Sequence, residues 1–200
     1  MLIQAVARAR EGDGEVLQLC FEGESICGED LSRVEFSQVR FVKCRFENCD
    51  LSDASFFGCT LEGCGFANCD FRSSYWKDCG LRACRGDGAN FSGAKVKNSR
   101  IEECAFNYAN FSETAWENTH LQDCAMHDIF WASSKLKKTG LQGCDLRRAD
   151  FFQTPLKDMD LSGCDIEGIS VSDSFFELRG LKINPLQAAQ LAVLLGVKIV

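Results

Sequence analysis

From Phe21 to Leu181 a large apolar residue occupies every fifth position, as in Phe41, Phe46, Leu51, Phe56, Leu61, Phe66 and Phe71; of 33 such positions only Gly86 departs. Two places before most of them stands a small residue, in that stretch Val39, Cys44, Cys49, Ala54, Cys59, Cys64 and Cys69. Residues i and i−2 share one face of a strand, but a reset after five residues fits neither a continuous strand nor a 3.6-residue helix. Each pentad therefore reads as one side of a coil, a short bridge followed by a corner. Cys44, Cys64, Cys84, Cys104, Cys124, Cys144 and Cys164 recur every 20 residues. Four sides per turn place them in one inner column of a square tube. About eight coils at ~4.8 Å each give a length of ~38 Å. The frame predicts no slip as far as Leu181, and at Gly86 it predicts a gap in the layer with a bulge at Arg85-Gly86-Asp87-Gly88.

The two ends read differently. Residues 1–20 meet the frame only at Val16 and predict a cap over the open edge of the tube, residues 21–183 form the solenoid, and residues 184–200 form a helix and tail. Asn184 suits an N-cap, Pro185 the first helical position, and Gly196 a terminator after the apolar run Leu186 to Leu195. Leu186, Leu191, Val193, Leu194 and Leu195, with Val197 and Ile199 beyond, spread apolar surface too far round for one contact. A homodimer through this end is the expectation.

Composition sharpens the picture in two places. A hydrophobic content of 46% excludes disorder, and no apolar run reaches the ~18 residues of a membrane span. The amino-terminal stretch MLIQAVARAREGDGE lacks the apolar core of a signal peptide, so the expected location is the cytoplasm, with no membrane contact. Thirteen cysteines point to disulfides or zinc when merely counted. Eleven of them, all but Cys20 and Cys27, occupy the small i−2 slot that Ala54, Ala89, Ala94, Ser99 and Thr114 fill elsewhere. A linear stack of inward thiols converges on no single metal ion, so they read as core, and no metal or cofactor is expected. His120 and His127, the only histidines, fall on different outward positions. Side chains projecting in parallel columns form no nucleophile–base constellation, so no catalytic site is expected.

The repeat unit, seen in Cys69-Asp70-Phe71-Arg72, Ala89-Asn90-Phe91-Ser92 and Ala109-Asn110-Phe111-Ser112, resembles the pentapeptide-repeat family over residues 21–181. The resemblance implies an all-β, right-handed quadrilateral parallel β-helix. The tail Gly180-Leu181-Lys182-Ile183, with Gln187 and Leu195-Gly196-Val197, resembles the carboxyl end of Qnr-type members. Those, like the MfpA type, are dimers that mimic duplex DNA and bind DNA gyrase or topoisomerase IV. Qnr-type members also carry projecting loops that matter for quinolone protection. The unbroken frame here is closer to the loop-free MfpA form.

Charge bears on that implication. The chain carries a net −7, and the frame assigns each residue of 19–183 to a side. The side centred on Leu31, Leu51 and Phe71 holds Glu29, Asp30, Asp50, Asp53, Asp70, Glu113, Asp150 and Asp173 against only Arg33 and Arg72. The adjoining side, centred on Phe36, Phe56 and Trp76, is loaded with Lys95, Lys97, Lys135, Lys137 and Lys138. A DNA strand carries a charge every ~3.4 Å, ~11 over this tube, so six net charges give about half-strength mimicry and leave shape to supply the rest. Outward Phe130 and Phe152 fall on the acidic side as candidate interface anchors. The leading expectation is a non-enzymatic DNA mimic that binds gyrase or topoisomerase IV through this side, without itself contacting nucleic acid, and modulates quinolone sensitivity. The alternative is a structural or adaptor module with an unrelated protein partner.

Overall fold

In the computed structural model, which describes residues 1–12 and 14–198, the chain winds into a parallel β-solenoid of four-sided coils. Partners lie 20 residues apart throughout the ladders: Phe36 pairs with Val16 and Phe56, and Phe41 with Phe21 and Leu61. The Phe36 side and the Phe41 side each form a seven-stranded sheet, starting at Glu15–Leu17 and Cys20–Glu22. The Phe46 side has three strands, and the Leu51 side is joined by single bridges from Asp30 to Ser170. Continuous ladders thus run through about six full coils where the sequence predicts about eight.

Inside, the large residues stack on their own kind. Phe36 lies on Phe56 at 5.1 Å, Phe56 on Trp76 at 3.9 Å and Phe71 on Phe91 at 4.7 Å between ring centroids. The inward cysteines are buried and unpaired, and most donate a weak hydrogen bond to a carbonyl one coil below, as Cys59 does to Phe36 O at 3.2 Å and Cys84 to Leu61 O at 3.4 Å. Ser134 and Thr154 make the same bond to Phe111 O and Trp131 O. The slot therefore selects a small side chain, and thiol and hydroxyl both bring it a donor. Cys104 and burial push the Cys84 thiol up to about 12, and Cys124 acts likewise on Cys144, raised to about 11.

The corners are made alike. The residue two places after each central position from Val16 to Leu156 is left-handed, from Gln18 and Arg33 to Gln153 and Asp158, and glycines such as Gly58 and Gly93 fill the same place. The Leu51 side is tighter than its neighbours because Asp or Asn precedes most of its central residues. Asp30, Asp50, Asn90 and Asn110 accept from the backbone N–H of Ser32, Ser52, Ser92 and Ser112 at 2.9–3.1 Å, closing the turn locally.

Two expectations are corrected. Gly86 opens no gap and no bulge. The ring of Phe106 from the next coil lies where a Cβ would stand, 2.8 Å away, and Arg85 keeps its bridges to Gly65 and Ala105. The frame also does not hold to Leu181. Ser170 still pairs with Asp150, but Asp160 pairs with Lys182, two residues late. Val171 to Leu178 absorb the extra residues around the 3-10 turn Phe176–Leu178. Leu156 and Leu161 then donate to Glu177 O and Lys182 O, so Leu178 and Ile183 take the stacking places that the pentad count gives to Phe176 and Leu181.

Both ends carry a helix. Helix α1, Leu2–Glu11, buries Leu2, Val6 and Ala9 against the first coils and is tied down by Leu2 N–H to Glu24 and by Arg10 to Asp30. Helix α2, Pro185–Leu194, begins with a reciprocal capping box between Asn184 and Gln187. The Gln187 amide also donates to Leu161 O and Cys164 O, both at 2.8 Å. Among the described residues no helix is long and apolar enough to cross a membrane.

Candidate functional site

The interior has no room for a ligand. Among the described residues an interior cavity between Trp76, Phe91, Val96, Phe106 and Trp116 measures about 20 Å³, no larger than one water and lined by apolar atoms. Among the described residues no three His, Cys, Asp or Glu side chains are placed to share a metal ion.

On the Leu51 side the fold brings Asp50, Asp53 and Asp70 together. Asp50 and Asp70 are bridge partners on successive coils, and Asp53 takes the left-handed corner next to Asp50. Asp70 is half-buried and held by Arg72, whose guanidinium lies 2.6 Å away and whose own pKa Asp70 raises. Asp50 and Asp53 are exposed and, among the described residues, form no ion pair. The next two coils carry neutral Asn90 and Asn110, so the acidic column is interrupted. Glu113 takes another exposed left-handed corner. Asp150 stacks directly above Phe130, and its carboxylate accepts from Phe152 N–H at 3.0 Å, which sets an acid between two phenylalanines 53% and 45% exposed. Asp173 lies in the segment that absorbs the register shift, outside the column. The acidic residues therefore form an amino-terminal group at Asp50, Asp53 and Asp70 and a second group at Asp150 some four coils, or ~19 Å, away.

At the carboxyl end Leu191 is half-buried against the core, whereas Leu186, Val193, Leu194, Leu195 and Val197 are exposed. Ile199 lies outside the described residues. On the Phe46 side His127 is hydrogen-bonded to Asp128 at 2.7 Å, Arg148 grips the same carboxylate with two bonds, and the exposed Tyr108 ring stands edge-on to the imidazole. These contacts hold Asp128 well below the usual carboxylate range, Arg148 first and His127 second.

The pentad frame gives Glu177 an outward position, one place after Phe176. The residue is fully buried, and its carboxylate accepts from Gln153 N–H, Ser172 N–H and the Ser172 hydroxyl. Burial alone would raise its pKa, but these donors outweigh burial and leave it lowered. On regular coils the equivalent N–H finds a carbonyl 19 residues on, as Ser133 finds Phe152 O. Glu177 supplies that missing oxygen where the register shifts.

Three comparisons place these observations. The family description "Pentapeptide repeat region" matches residues 54–131, and "Pentapeptide repeats (8 copies)" matches residues 30–66 and 133–168. The comparison with curated proteins gives no match. Among solved structures the chain is similar to full-length QnrB1, a plasmid-mediated fluoroquinolone resistance protein, with 23% identity and a TM-score of 0.51 over 92% of this chain and 100% of that one. A trypsin-treated QnrB1 variant matches with 22% identity and the same TM-score, 0.51, over 93% and 98%. At this identity the likeness is one of fold.

Proposed function

This chain belongs to the pentapeptide-repeat family, and from that premise we propose that it is a non-enzymatic DNA mimic that binds DNA gyrase or topoisomerase IV with its Leu51 side. One observation carries the reading. Closing the turn on this side needs only a side-chain oxygen, and Asn90 and Asn110 provide it without charge. At Asp50 the same bond is made by a carboxylate, and Asp53 adds a second with no local partner. The charge is surplus to the fold and is repeated at the coil rise of ~4.8 Å, wider than the ~3.4 Å spacing along one DNA strand but regular along the tube as that strand's charges are. The fold likeness to QnrB1 supports the same direction. Quinolone modulation belongs to the proposal as its weaker arm, because projecting loops are not part of this frame through Ser170. A homodimer through α2 completes the arrangement.

The test is a supercoiling assay with purified gyrase at low salt, using the parent chain and the triple variant Asp50→Asn, Asp53→Asn, Asp70→Asn. Asparagine preserves the turn bonds and tolerates the left-handed corner, so the variant keeps its fold and loses charge together with the exposed Asp70–Arg72 ion pair. Inhibition of supercoiling by the parent and binding at least ~10-fold weaker for the variant are expected. Equal binding by the two moves the contact to another face. If the parent neither inhibits supercoiling nor forms a complex, the topoisomerase reading is wrong and an unrelated protein partner replaces it.

A further inference from the structure

The side next to the acidic one has the opposite character. On the outer face of the Phe36-side sheet, strand register stacks Lys77 on Lys97 and Tyr75 on Lys95. Two strands further on, Lys135 and Lys137 continue the same two columns, with Lys138 at the corner. The acids among them are Glu117, bonded to Lys137 at 2.7 Å and to Lys97 at 3.4 Å, and Asp78, in the corner column of Lys138 and bonded by Asn98, which leaves Lys77, Lys95, Lys135 and Lys138 without an ion pair among the described residues. Lys137 first and Lys97 second hold the Glu117 carboxyl below its ordinary range. Like charges on facing strands, as at Lys77 and Lys97, are unfavourable, and the fold has no use for them. The outward positions of this same sheet accept Ser37 and Ser55 elsewhere.

At the amino-terminal edge of the lysines lie two half-buried rings, Phe57 and Tyr75, 5.5 Å apart and tilted by 56°. No helix crosses the sheet here, because α1 packs at the first coils. The face is three residues wide per strand, ~10 Å, which is narrower than the ~12 Å major groove and suits one extended chain. A second copy of this protein is a poor occupant. Seven strands by ~10 Å give roughly 300 Å² per partner, against the ~800 Å² of a stable interface. A polyanion needs no such area, since its binding is driven by counterion release.

We propose that this face binds single-stranded nucleic acid, with the lysines on the phosphates and the Tyr75 ring as the platform on which a base stacks. The net charge of −7 argues against nucleic-acid contact only while it is treated as uniform. Sorted by side, the charge leaves this one positive. The inference is independent of the topoisomerase reading, which uses the adjoining face and the opposite sign.

Fluorescence anisotropy with the full chain tests it, using a labelled 15-mer of thymidine and a duplex of equal length across 20–200 mM salt. Binding to the single strand is expected at the low end. Its log K should fall against log salt with a slope of about −2 to −3, ~0.7 for each phosphate contact. Lys135→Gln with Lys137→Gln is expected to flatten that slope by about 1 or more and to weaken binding at least ~10-fold at low salt. Tyr75→Ala is expected to weaken it about 5-fold or more with the slope unchanged. All three side chains point outward, and melting curves like the parent's establish that the variants fold. No binding at 20 mM salt, preference for the duplex, lysine variants that bind like the parent, or displacement by polyglutamate at equal charge each overturns the proposal.

Discussion

At the scale of single residues, the fold rests on a backbone state that most side chains avoid. A left-handed residue closes nearly every corner, and the 22 of those outside glycine, Phe175 being set apart at the 3-10 turn, have φ between 48° and 65°. The Cβ crowds the carbonyl there, which disfavours β-branched residues most. Not one Val, Ile or Thr stands two places after a central position from Val16 to Ile166. That absence was legible in the sequence. The periodicity of Phe41 and Cys44 concerns only positions i and i−2 and carries nothing about i+2. Ala83 isolates the effect, being exposed at φ 52° with no side-chain bond. Ala83→Val is expected to destabilise by about 1 kcal/mol or more and Ala83→Gly to stabilise by roughly 0.5 kcal/mol, strain relief slightly exceeding the extra entropy of the unfolded chain. Urea denaturation with an unchanged m-value measures both, and a neutral valine contradicts the left-handed corner. The same scale recasts the acidic column, since Asp50 and Asp70 are there first as turn-closing oxygens and only then as charges.

At the scale of an element, the last coil shows where a periodic pattern misleads. Val171, Phe176 and Leu181 keep the five-residue spacing in sequence, yet the backbone of Leu156, Asp160 and Leu161 finds its partners two residues late. Apolar periodicity records which residues can be buried but not the hydrogen-bond register, and here Leu178 and Ile183 serve equally well. What holds the shifted segment is polar. The Glu177 carboxylate stands in for a missing carbonyl, and the Gln187 side chain reaches Cys164 O, whose partner in the shifted register, 23 residues on, is Gln187's own N–H, already bonded to Asn184 Oδ1. No spacing rule marks either residue, because each acts through a partner more than twenty positions away. The folded pKa of Glu177 is lowered from 4.5, so its contribution to stability is complete above about pH 4.5 and is lost as pH falls through the lower folded value. Glu177→Gln keeps one acceptor and abolishes titration. It is expected to cost roughly 1–3 kcal/mol at pH 7 and to remove part of the acid destabilisation below pH 4.5. Thermal melts from pH 7 to 3 measure this, and a variant whose pH profile parallels the parent's assigns the acid transition to other carboxylates.

At the scale of the whole molecule, the two ends are unequal. A solenoid ends in an unpaired layer at each terminus, and each must be covered or joined to something. Helix α1 covers the first with three buried side chains and two polar ties, leaving Leu17 and Leu19 partly exposed at its rim. Helix α2 meets the last coil chiefly through Gln187 and Leu191, with Leu186 82% exposed and Val193, Leu195 and Val197 each above half. Such a cluster on an otherwise polar surface marks an interface. In the homodimer we propose, the larger apolar surface at one end only lets the association close as a two-fold pair; two such ends would build a filament. The cluster was legible in the sequence as an apolar run too wide for one contact. Which of its members turn outward was not, because that depends on the Gln187 bonds that set the helix on the tube. The parent is therefore expected to sediment at twice its monomer mass at micromolar concentration. Leu186→Glu with Val193→Glu is expected to sediment as a monomer with little change in its melting curve, because neither side chain is buried in the monomer. A parent that stays monomeric at high concentration refutes this use of the end, and a double variant that stays dimeric moves the interface elsewhere on the tube.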